Sequence, residues 1–80
     1  MDLQEFNSLA LDDRAEAVWR QGTFLGATAQ KGYVLSLYGM GGFFCELWYC
    51  PASNEIKLAL GFTDTSLLEP YLEDIELPGI

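Results

Sequence analysis

The chain has 80 residues, half of them hydrophobic and 14 % aromatic, and its net charge of −8 leaves only four Lys and Arg. That length fits one domain, residues 1–80, and that composition builds a packed core rather than a disordered chain. Arg14, Arg20, Lys31 and Lys57 form no cluster that could displace counterions from a phosphate backbone, so direct nucleic-acid binding is not expected.

No run reaches the ~18 apolar residues of a membrane helix, and "MDLQEF" is acidic where a signal peptide is basic, so no membrane association and a cytoplasmic location are expected. The first segment, "LQEFNSLALDDRAEAVWRQG", places Leu3, Phe6, Leu9 and Ala10, then Ala15, Val18 and Trp19, at helical spacing. A short helix followed by a longer one is predicted, with Asp12 as N-cap, Gly22 as terminator and Trp19 as the anchor to a sheet. From Thr23 to Phe62 the period changes to two. "TFLGATA", "YVLSLY", "GFFCELWY" and "EIKLALGF", divided by "QKG", "GMG" and "CPASN", predict four strands in an antiparallel meander. "TDTSLLEPYLEDIELPGI" returns to helical spacing and predicts a C-terminal helix. The fold class is therefore α+β.

The chain resembles small uncharacterised bacterial proteins with a helical start, a "WxxGTFL" entry into a meander (Trp19, Gly22 to Leu25), "E-x-W-Y" (Glu46, Trp48, Tyr49) and then "NEI" (Asn54 to Ile56). The resemblance implies a fold and brings no function with it.

The densest chemistry lies in "GMGGFFCELWYC", Gly39 to Cys50. A phosphate loop needs a Lys, a hydroxyl and a following helix, none of which is here. A three-residue hairpin loop, Gly39-Met40-Gly41 with Gly41 at positive φ, explains the glycines and pairs Leu37 with Phe43, Leu35 with Cys45 and Tyr33 with Leu47. Cys45 and Cys50 are five positions apart, about 16 Å on an extended strand, so they cannot bridge to each other. Two sulfurs without histidine do not make a zinc site, and no metal or cofactor is expected.

In that register Tyr33, Leu35, Leu37, Phe43, Cys45, Leu47, Tyr49, Ile56, Leu58, Leu60 and Phe62 share a core face. Val34, Ser36, Tyr38, Phe44, Glu46, Trp48, Lys57, Ala59 and Gly61 share the other. This second face is either covered by a helix or open as an aromatic contact surface made by Tyr38, Phe44, Glu46, Trp48 and Lys57, with Lys57 stacked on Trp48. The absence of His and of an inward carboxylate pair argues against an enzyme, Glu46 among aromatics being the best catalytic candidate. The expected function is a small acidic protein-interaction module, a homodimer or an adaptor, inhibitor or immunity-type protein. The alternatives are a small-ligand-binding domain or a weak enzyme centred on Glu46.

Overall fold

In the computed structural model, which describes residues 1–65, the chain is an α+β domain. Helices α1 (Leu3–Asn7) and α2 (Leu11–Gln21) precede strands β1 (Thr23–Gln30), β2 (Tyr33–Gly39), β3 (Phe44–Cys50) and β4 (Glu55–Phe62). The sheet is an antiparallel meander in the order β1-β2-β3-β4. The C-terminal helix expected from the tail falls, from residue 66 on, outside the described residues.

Each helix is short, and its termini explain its length. Asp2 caps α1 by accepting the Glu5 N–H at 2.8 Å, and the Glu5 carboxylate reaches back to the Asp2 N–H, a capping box that satisfies two otherwise orphaned donors. The N-cap of α2 is Ala10, which offers no side-chain cap, so the expectation for Asp12 is corrected. Asp12 and Asp13 instead lie within the first turn, where their charge meets the positive end of the helix dipole. Gly22 ends the helix as expected.

Arg14 of α2, which the sequence did not single out, reaches back across the turn between the helices. Its guanidinium donates to the carbonyls of Leu9 at 2.8 Å, Asn7 at 2.7 Å and Ala59 at 3.1 Å, and it lies 5.8 Å from the Phe6 ring centre. One planar fork of donors thus ties α1, the interhelical turn and β4 together.

The hairpin register differs from the predicted one. Leu37 pairs with Glu46 rather than Phe43, Ser36 with Leu47 and Gly39 with Phe44, so the loop is the four-residue Met40–Phe43, closed by the Met40 N–H to the Phe43 carbonyl at 2.9 Å. Gly41 has φ 95°, the positive-φ residue anticipated there. Moving a strand by an odd number of positions turns it over. Strand β3 therefore exchanges faces with respect to β2.

The face under the helices collects Cys45, Leu47 and Ala59 with Phe43, closed from above by Phe6, Ala17 and Val18. Gly61 is required here: a Cβ on it would lie 2.7 Å from Leu3 Cδ1 and 2.9 Å from Phe6 Cδ2, so its hydrogen lets α1 sit on β4. The opposite face gathers Leu35, Leu37, Phe44 and Phe62, also buried, with Phe44 and Phe62 stacked at 5.8 Å. With both faces apolar, β3 is a central strand buried on two sides, which reads as a near-continuous hydrophobic run rather than an alternation. Trp19 does not anchor the helix: it is 63 % exposed, and Val18 beside it is the buried contact.

Candidate interaction surfaces

The five residues expected to form one contact face are divided by the observed register. Phe44, Glu46 and Trp48 do share a face, but Tyr38 pairs with Cys45 and belongs to the helix side, where its ring meets Phe24 edge-on at 5.6 Å. Lys57 is the extra residue of a bulge, since Trp48 pairs with Leu58 and Tyr49 with Ile56. Its ammonium lies 3.5 Å from Glu55, an exposed pair, rather than over the Trp48 ring.

Phe44 and Glu46 are 8 % and 7 % exposed, so the centre of that face is not open to a partner. Glu46 is the buried charged residue among the described residues, and its carboxylate accepts the Trp48 indole N–H at 2.6 Å. The Trp48 ring also packs on Tyr33 at 5.6 Å. The carboxylate and the indole are both held in place by this contact, which orients a half-buried ring across the sheet.

A different surface is open. Leu11, Ala15 and Trp19 recur at four-residue spacing along α2 and form one wall of a groove of about 340 Å³, with Ile56 and Glu55 of β4 and Asp12 completing the lining. Four-residue spacing stacks side chains on one helix face, which is how a short helix makes a continuous wall. Leu11 is exposed together with Trp19, while Ala15 is buried between them. The groove is therefore lined by apolar side chains of α2 and by Ile56, with the carboxylates of Asp12 and Glu55 among them. The signal for it was present as the same helical spacing that suggested Trp19 as an anchor, but the choice between Val18 and Trp19 for the buried stripe depends on where the sheet lies.

The two cysteines are free and chemically distinct. Burial pushes the Cys45 thiol up from 9.0 to about 12, the neighbouring Glu46 charge adding to the rise and Arg14 opposing it. Cys50, at the end of β3, is held below the ordinary thiol value, first by the Ser53 hydroxyl and then by the Ser53 N–H in the turn that follows.

No family model, curated protein or solved structure matches the chain. No helix among the described residues is long and apolar enough to cross a membrane.

Proposed function

We propose that this chain is a small acidic protein-interaction module that carries out no reaction of its own and holds a partner segment in the groove between α2 and β4. The observation that carries the reading is Trp19, 63 % exposed at the groove wall, the most exposed of the large hydrophobic side chains among the described residues. A large exposed indole costs solvation unless something covers it, and Trp is among the side chains that dominate binding energy when covered.

Asp12 and Glu55 in the groove lining set the partner's chemistry. The segment that fits is an apolar side chain flanked by Lys or Arg, the apolar part against Ile56 and Trp19 and the cations toward the carboxylates. Glu46, engaged by the Trp48 indole, acts in this reading as a structural acceptor.

Selection of peptides from a displayed random library on the immobilised chain tests this. Enrichment of basic–apolar sequences is expected, with at least tenfold weaker binding to Trp19→Ala and an unchanged melt, because an exposed side chain adds little to the core. Trp48→Ala serves as the contrast: emptying a half-buried, hydrogen-bonded site is expected to destabilise the fold by about 3 kcal/mol. Enrichment of acidic sequences, or equal binding by Trp19→Ala, overturns the proposal.

A further inference from the structure

Among the described residues, a sheet of four strands in sequential order leaves two edges free, β1 and β4, and they are built differently. β4 carries the exposed Glu55–Lys57 pair and a bulge at Lys57. Charges and bulges are the devices by which natural sheets blunt an edge against further pairing. β1, "TFLGATAQ", has no charged residue and no proline along its length. Its own bulge, at Leu25, lies near its start, so Gly26–Gln30 continues as a regular ladder. Most of its residues are exposed, Phe24 to 57 %. Nothing in its sequence protects it.

The distribution of charge says what can approach. All twelve Asp and Glu lie at or before residue 16 or at or after residue 46, so residues 17–45 hold no carboxylate at all in a chain of net charge −8. The acidic helices α1 and α2 pack against β4, the strand farthest from β1 in the sheet. The β1–β2 hairpin has one charge, Lys31. Two copies of an acidic protein repel each other over long range, and the neutral β1 edge is where they can meet with their carboxylates turned away.

We infer that the free edge of β1 is a self-association edge, at which a second copy of the chain pairs its own β1 antiparallel about a two-fold axis and joins the two sheets into one. The pairing is isologous, the same patch on both copies. Antiparallel pairing keeps like faces together, so each Phe24 is delivered to the side of the sheet on which the other copy exposes the small residues Ala27 and Ala29. The unused backbone donors and acceptors of the two edges satisfy one another, as in other strand-addition contacts. This surface is separate from the α2–β4 groove, and neither depends on the other.

The test is sedimentation equilibrium of the full chain from low micromolar to near-millimolar concentration, with two charge variants at the exposed alanines. The wild type is expected to reach twice the chain mass. Ala27→Lys with Ala29→Lys, and Ala27→Glu with Ala29→Glu, are each expected to remain monomeric with an unchanged melt, because each places like charges across the seam. Mixing the two variants is expected to restore a particle of two chains. Amide exchange on the wild type adds a reading that needs no variant: protection within Gly26–Gln30 should rise with concentration while that of β4 stays constant. A wild type that remains monomeric throughout, or variants that dimerise as the wild type does, or a mixture that stays monomeric, overturns the inference. So does concentration-dependent protection at β4 in place of β1.

Discussion

Cys45 and Cys50 are five positions apart in one strand and live in opposite environments. The thiol of Cys45 is buried beneath the helices and titrates near pH 12, whereas that of Cys50 meets hydrogen-bond donors in the next turn and titrates below its ordinary value. Alkylation under native conditions near neutral pH is therefore expected to add one group, at Cys50, and denaturant is expected to release the second, which mass spectrometry of the modified peptides reads directly. The pH dependence has a definite sign. In the unfolded chain Cys45 ionises near pH 9, while in the fold it stays protonated to about 12, so the unfolded state gains by losing a proton and stability falls as pH rises through that interval. Cys45→Ala should flatten this alkaline limb relative to the wild type, as measured by denaturant melts at a series of pH values. Cys45→Ala that leaves the limb as steep would place the loss elsewhere. Glu46 is the residue whose surroundings the sequence left open, on a face either covered or exposed. A carboxylate in a strand normally marks a wet face, but here Glu46 is buried and accepts the Trp48 indole N–H.

The positions of α1, α2 and the four strands were largely legible, because the hydrophobic period changes from helical to alternating at Thr23 and turn residues fall between the runs. Asn54 and Lys31 at φ 56° and 53° show those turns at work. The pairing register was not legible. "FFCELWY" has large apolar residues at both parities, since β3 is covered on both faces, and such a strand carries no alternation by which to choose between a three-residue and a four-residue loop. The groove wall was legible as a spacing and not as a surface, because the sheet position that buries Val18 and exposes Trp19 is a tertiary fact. Arg14 was invisible for the same reason: its acceptors are the backbone carbonyls of Asn7, Leu9 and Ala59, and no residue type announces them. Because these three carbonyls lose a charged donor together, Arg14→Ala is expected to cost about 2–3 kcal/mol in a urea melt. Arg14→Lys should recover less than half of that, as an ammonium cannot serve three divergent acceptors from one plane. A loss within experimental error for Arg14→Ala would show that water replaces the guanidinium without penalty.

At the level of the whole molecule, the separation of a carboxylate-free hairpin from an acidic helical side gives the two proposed contacts opposite responses to salt. Screening over a Debye length of about 8 Å at physiological ionic strength removes the repulsion between copies, so self-association through β1 should strengthen severalfold as salt rises. The same screening removes the attraction of Asp12 and Glu55 for a cationic segment, so groove binding should weaken. Sedimentation and peptide titration along one salt series read both, and parallel responses would contradict the assignment of partners to surfaces. The contact of both helices with β4 also has a consequence for the order in which the protein is made. Phe6 and Val18 leave the ribosome before the Ala59 carbonyl that receives Arg14 and the Gly61 backbone on which α1 rests, which come last among the described strands. At roughly 5–20 residues per second the helices wait several seconds for β4. During that interval their apolar stripes lack the β4 part of the sheet, and the nascent segment depends on the solubility of the carboxylates beside them, Asp2, Glu5, Asp12, Asp13 and Glu16, until the meander is complete.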